Sequence, residues 1–390
     1  MTGLIPGSGT RGTLVLGAAF GQAGDGLFVT GLAWSVLEAT GSARQLSLVL
    51  TVLTVVPLVA APLAGHLIDR PGGPSWLVGS ETAAAGLLLA AAAVRDPGLL
   101  FFLVLAAAVP LFASLSGPGL AVMISRLSPP GTVATAMARS QVASRTGRIA
   151  GPLLGGVLVG AGGLRLCCLA NALSYLLYAA AWLRARRALR AVGPVRGDRA
   201  RAGGVRHLAG DRRLRGLVAV ALVANGSIAA VTVTLPLLAR GPLAAGAGTY
   251  GLLLAAFQGG MLAVATTLSV RALPERWVGD PRTLGMGLTA LGGCYGLLAA
   301  SRSVPLAVLA VAAAGAALGL TSVVSDTRLV TEVPSAVRGR VLGLVTGLAG
   351  ALRPAGTLVG GLAAGLLGAP AAAAIGGAAL VTLGVAYARR

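Results

Sequence analysis

The chain is predicted to fold as an all-α membrane protein of twelve transmembrane helices, arranged as two pseudo-symmetric six-helix bundles. Three observations carry that expectation. Of the 390 residues, 56% are hydrophobic and only 11% are charged, whereas roughly a quarter of a soluble domain is charged. Apolar runs of about 20 residues, the length that crosses the hydrocarbon core as a helix, recur along nearly the whole chain. One arrangement then appears twice inside such runs, first as Arg148-Ile-Ala-Gly151-Pro152-Leu-Leu-Gly155-Gly156 and again as Arg353-Pro-Ala-Gly356-Thr357-Leu-Val-Gly360-Gly361. Small residues at that spacing let two membrane helices approach closely where no hydrophobic force draws them together. A duplicated bundle is the usual build of proteins whose halves rock around a mid-membrane site.

The first half is predicted to span 13–36, 46–67, 76–94, 99–122, 136–160 and 164–184, and the second 215–238, 248–270, 283–300, 304–325, 338–362 and 366–387. The bundles therefore occupy 1–185 and 215–390, joined by a basic linker over 186–214. Span one follows Arg11 and carries Gln22 and Asp25. Its beginning resembles a signal peptide, but no soluble mature domain follows, so it counts as the first crossing. Span three carries Glu81, expected in a first-turn position near the cytoplasmic face where the helix dipole favours negative charge. Span four has no basic residue from Leu111 to Met123, with Arg126 at its inner end. Span five holds Gln141, Arg145, Arg148 and the Gly151-Pro152 pair, which bends a helix and permits close contact. Span six holds Asn171 and Tyr175, span seven Asn225, span eight Gln258, span ten the Asp326-Arg328-Glu332 cluster at its inner end, and span eleven Arg353.

The net charge of +20 comes from 31 basic residues, all of them Arg. With the amino terminus inside, the outer loops hold Arg44, Arg95, Arg165, Arg240 and Arg302, one apiece, while the linker region from Arg184 to Arg215 is dense in arginine. This is the positive-inside pattern with both termini cytoplasmic. It assigns the charge to contact with anionic membrane lipid rather than to nucleic acid. Cys167, Cys168 and Cys294 lack the spacing of a metal site or redox pair and are expected to pack. Gly7, Gly9 and Gly12 form a G-x-G-x-x-G string with no strand before it, which fails as a dinucleotide site. No P-loop, zinc-ligand spacing or nucleophile elbow is present, so the expectation is no enzyme, no metal and no cofactor.

Between spans two and three, Gly65-His-Leu-Ile-Asp69-Arg70-Pro-Gly72 forms a short cytoplasmic turn whose carboxylate suits the start of a neighbouring helix. With this loop the chain resembles the major facilitator superfamily, whose loop motif matches at Gly65, Asp69, Arg70 and Gly72. The string Gly147-x-x-x-Gly151-Pro152-x-x-Gly155-Gly156-x-Leu158 is similar to the fifth-helix signature of that superfamily's drug:proton antiporters. Gly24-Asp25-Gly26, Thr40-Gly41-Ser42-Ala43, Asn171 to Tyr175 and Val333 to Val341 resemble the branch of macrolide-efflux and enterobactin-exporter proteins. The chain departs from the family pattern where Gly73 and Pro74 stand in place of two basic residues, and in lacking a basic residue within the fourth span.

The resemblance implies a secondary transporter in a bacterial inner membrane, a monomer by family default. It would exchange a small amphipathic compound for protons. An ionisable side chain at membrane depth costs about 2.5 kcal/mol or more on insertion scales and asks for a partner or a function. Asp25 lies about 18 Å into span one at 1.5 Å per residue. Three readings of it stand open: a proton-coupling carboxylate, a fixed pair with Arg145 or Arg148, or an outer position in water. Arg148 and Arg353, matched in the two repeats, are either anchors for an anionic substrate or internal counter-ions. Gln22, Asn171, Asn225 and Gln258 are candidates for the cavity wall. Asp69 and Arg70, with Asp326 and Arg338, are candidates for an inward gate or latch, and the Gly147–Gly156 helix for the seal. Two alternatives remain: transport of an anionic metabolite through Arg148 and Arg353, and a receptor or assembly partner that no longer transports.

Overall fold

The computed structural model describes residues 8–69, 73–114, 116–129, 132–189, 212–270, 277, 280–333 and 335–389. Among these, the regular structure is helical throughout: α1 (Ser8–Thr40), α2 (Ala43–Asp69), α3 (Gly73–Ala91), α4 (Leu99–Ala113), α5 (Ser116–Leu127), α6 (Val133–Leu189), α7 (Arg212–Arg240), α8 (Ala247–Val270), α9 (Pro281–Ala300), α10 (Val304–Glu332), α11 (Ser335–Leu367) and α12 (Ala369–Ala388). All twelve expected spans fall on helices, although helices and spans do not match one to one. Span four is built from α4 and α5 in succession. Spans five and six are the two arms of α6, which breaks at Gly162–Gly163, where Gly163 takes φ 66°, a left-handed conformation open to glycine. Gly368, at φ 88°, likewise closes α11 and delays the last helix to Ala369.

Eight of the described helices are long and apolar enough to cross a membrane by length and composition, and 75–91 and 99–113 are shorter apolar helices. The exposed surface carries Leu100, Val59, Val157, Leu309, Leu366 and Val359, each more than 60% exposed. Large aliphatic residues facing outward at this density suit a lipid environment, since lipid tails are as apolar as Leu.

The chain divides into two compact units, Met1–Gly41 with Val52–Arg196, and Ser42–Thr51 with Gly197–Arg390. In unit 1, α1 packs along both arms of α6, on which α3 and α5 also pack. Leu14, Leu77, Met123, Tyr178 and Trp182 form an apolar cluster at one end of the bundle. In unit 2, α7 packs on α11, α8 on α10 and α9 on α12, with Val218, Leu284, Val324, Leu329 and Val333 in the corresponding cluster. The loop residues Arg70 and Gly72 and the side chains of Asp69 and Arg338 lie outside the described residues, as does most of the basic linker.

Candidate functional site

The glycines of the fifth-span motif explain how the site is assembled. A Cβ at Gly151 would stand 2.5 Å from the Ala23 carbonyl oxygen, one at Gly155 would stand 2.7 Å from the Leu27 Cα, and one at Gly147 would overlap the Ala19 carbonyl. The first arm of α6 thus lies directly on the backbone of α1, a contact only glycine allows. Pro152 and Gly156 are buried beside this crossing. The second arm closes the other side: a Cβ at Gly24 would overlap Ser174 and Asn171, and one at Gly31 would stand 2.6 Å from Cys167 Sγ.

This packing sets the polar residues of α1 against those of α6. The Arg148 Nε–H donates to Gln22 Oε1 at 2.8 Å, and the Tyr175 hydroxyl donates to Asp25 Oδ1 at 2.8 Å. Asp25 is therefore not ion-paired with either candidate arginine. Arg148 acts on it through space, while Arg145, one turn earlier, is exposed and lines neither cavity at Asp25. Asn171 is fully buried, with its Oδ1 accepting from Ser174 Oγ at 2.9 Å within α6, and it lines neither cavity at Asp25.

Asp25 stands where two cavities of unit 1 meet. One, of about 210 Å³, is polar and lined by Gln22, Glu81, Ser140, Gln141 and Arg148 among others. The other, of about 330 Å³, is largely apolar and is lined by Phe28, Val29, Leu53, Pro57 and Pro110, with Ser114 beside the polar groups it shares with the first. An amphipathic molecule presents both kinds of surface, and a ligand pocket needs a few placed polar groups amid apolar walls.

Glu81 requires a correction. It is not a first-turn residue: the first turn of α3 holds no acidic side chain, and Glu81 lies eight residues beyond Gly73, about 12 Å along the helix. It is 1% exposed, accepts a short hydrogen bond from the Ser116 hydroxyl, and faces the polar cavity. The expectation of an interfacial position failed because α3 begins at Gly73 and α5 crosses it through Gly119, which lies against Leu77.

Unit 2 contains its own cavity of about 380 Å³, lined by Asn225, Ile228, Met261, Thr321, Asp326 and Arg353 among others. Arg353 and Asp326 are exposed, Arg328 is buried, and Gln258 is half-buried without lining this cavity. The repeat extends to the crossing itself. Gly356 lies against Gly226, and Gly360 against Ala230, as Gly151 lies against Ala23 and Gly155 against Leu27. The same register pairs Gln22 with Asn225, and Asp25 with Ile228.

A duplicated, membrane-spanning helical bundle with a few polar groups bordering its cavities has the build of a transport protein rather than of an enzyme. A family model described as the Major Facilitator Superfamily matches residues 14–279, and the chain belongs to that family. Solved structures with the same fold include a POT family transporter in complex with a thioalcohol-conjugated peptide (12% identity, 96% of this chain and 94% of that one covered, TM-score 0.75). A bacterial homologue of the iron transporter ferroportin in its inward-facing state is similar at 14% identity, with 98% and 99% coverage and a TM-score of 0.73. A bacterial homologue of the lysosomal transporter Spinster follows at 16% identity, 98% and 95% coverage and a TM-score of 0.69. No curated protein matches this sequence.

Proposed function

We propose that this Major Facilitator Superfamily transporter is a proton-coupled exporter of small amphipathic compounds, of the drug:proton antiporter type and closest in kind to the macrolide-efflux and enterobactin-exporter branch. The observation that supports this reading most directly is Asp25, a membrane-depth carboxylate on α1. It is held by Tyr175 rather than by an arginine and stands at the meeting of a polar and an apolar cavity. A carboxylate without a fixed counter-ion is free to exchange a proton as its access changes. The apolar cavity offers a place for the body of an amphipathic molecule. In this reading Asp25 takes a proton from one side of the membrane and gives it up on the other by alternating access, the Gly147–Gly156 segment seals the bundle, and Asp69, Arg70, Asp326 and Arg338 form the inward latch.

The test is proton-gradient-driven movement of a cationic dye in inverted membrane vesicles, comparing the native chain with Asp25→Asn at equal membrane abundance. The expected result is accumulation by the native chain and background movement by the variant. Equal movement by both would make Asp25 structural. A second reading, movement of an anionic metabolite, is supported by the exposure of Arg353 in the unit 2 cavity. It becomes the conclusion if transport is independent of both the gradient and Asp25.

A further inference from the structure

We propose that Glu81 is a second carboxylate of the transport site, giving the Asp25 cavity one negative charge in excess, which is satisfied by either a proton or one monovalent organic cation but not by both. The proposal rests on the reading of Asp25 as the coupling group and adds to it a residue, a charge count and a substrate class.

The geometry of Glu81 is that of a group retained at a cost. Its side chain is 1% exposed. One carboxyl oxygen accepts from Ser116, and the other, Oε2, is buried with no hydrogen-bond partner. The Trp182 indole N–H is buried close to Glu81 and acts on it, without the alignment of a hydrogen bond. A buried carboxylate oxygen without a donor is destabilising when charged, so a purely structural role would be served better by an amide or an apolar residue. In unit 2 the core cluster holds Leu284 as that of unit 1 holds Leu77, and four residues further on, as Glu81 follows Leu77, the sequence has Leu288, 1% exposed. The fold packs there without an acid.

The charge count covers every element packed against Glu81. From α1 come Asp25 and Gln22, and from the facing part of α6 come Ser140, Gln141, Arg148, Tyr175, Tyr178 and Trp182. From α5 comes Ser116, and α4 contributes no titratable group over Leu99–Ala113. Arg11 and Arg139 line a neighbouring cavity that shares Ile124 with this one, and Arg126 lines neither. The charged group that acts on Glu81 is Asp25, of like sign, and the one that acts on Asp25 is Arg148. Two carboxylates therefore face one guanidinium. Neutrality requires one further positive charge, and two interacting carboxylates that hold it titrate as a pair. With the cavity empty, that charge is a proton. When a monovalent cation enters, the proton has to leave, which makes the exchange one for one.

The experiment is binding of tetraphenylphosphonium to the purified chain in weakly buffered detergent solution. Affinity and released protons are measured together, with triphenylphosphine oxide as the neutral control. The native chain is expected to release one proton per bound cation and to prefer the cation over the neutral probe. Glu81→Gln leaves one carboxylate balanced by Arg148. It should release no proton and bind the cation about tenfold or more weakly, with the neutral probe unaffected. Glu81→Gln combined with Arg148→Gln restores a single excess negative charge and should recover both proton release and cation affinity, a rescue that a packing role would not produce. If Glu81→Gln does not fold, Arg148→Gln alone carries the test, because two unopposed carboxylates should bind the cation more tightly than the native chain. The proposal is overturned if Glu81→Gln releases the same proton at the same affinity, if Arg148→Gln changes neither quantity, or if the native chain fails to prefer the cation. Loss of dye transport in Asp25→Asn, alongside an unchanged Glu81→Gln, would sink this proposal and leave the reading of Asp25 intact. Transport that survives Asp25→Asn would sink that reading first.

Discussion

The two halves share a scaffold and differ in what they put inside it. In each, a glycine-lined helix lies on the backbone of the half's first helix, Gly151 on Ala23 and Gly356 on Gly226. In each, an arginine three residues before that glycine borders a cavity together with an amide, Arg148 with Gln22 and Arg353 with Asn225. The carboxylates break the symmetry. Asp25 is matched by Ile228 in the crossing register, Glu81 aligns in sequence with Leu288, and the acid in the unit 2 cavity, Asp326, is exposed on α10. Duplication thus preserved what packing requires, since a glycine at a close crossing has no substitute. It left the carboxylates at these matched positions to one half, where they ask for a function.

The largest expected effect follows from making the halves alike. Asp25→Ile gives the first half the residue of the second and should reduce gradient-driven dye transport in vesicles to background. Ile228→Val, a change of one methylene at the matched place, should leave it close to native. If both variants transported equally, the chemical asymmetry would have no bearing on function.

The scaffold predicts the opposite pattern, one of equality. Gly151→Leu and Gly356→Leu each force a side chain into a backbone-to-backbone crossing, and overpacking of this kind costs about 1–3 kcal/mol. Thermal unfolding in detergent should show comparable losses for the two variants, whatever their effects on transport. A loss confined to Gly151→Leu would mean that the second crossing is not a structural equivalent of the first.

The scaffold was legible in the sequence for a physical reason. Span length and the repeated glycine spacing are local quantities, and the bilayer converts them directly into helices and close crossings. Asp25, Gln22 and Arg148 could be singled out because a polar residue in an apolar run is conspicuous. Their pairing could not. A fixed pair with Arg145 or Arg148 is one of three readings the sequence leaves open for Asp25, whereas in the structure Tyr175 bonds to it and Arg148 bonds to Gln22. Which of several polar residues meet depends on the rotation of two helices about their axes, and no spacing within either helix encodes it. Glu81 shows the same limit from the other side. Its distance from the start of α3 depended on where a turn rich in glycine and proline ended, and the start of α3 at Gly73 moved it from the interface into the bundle.

The smallest effect concerns the segment that departs from the sequence order of the halves. Ser42–Thr51, the start of α2, clusters with unit 2 although the rest of that helix belongs to unit 1. Its attachment is specific. The Ser47 hydroxyl, 2% exposed, donates to the Thr357 carbonyl at 3.1 Å, and Gly361 lies so close that a Cβ there would overlap Ser47. A hydrogen bond between membrane helices averages about 0.6 kcal/mol, and Ser47→Ala should cost about that much in thermal stability. Gly361→Ala displaces the same segment by steric overlap and should cost more. If the two changes were additive in the double variant, the hydroxyl and the glycine would act independently. A double loss no greater than that of Gly361→Ala alone is the expected result, because once the helices are pushed apart the Ser47 hydroxyl has no bond left to lose.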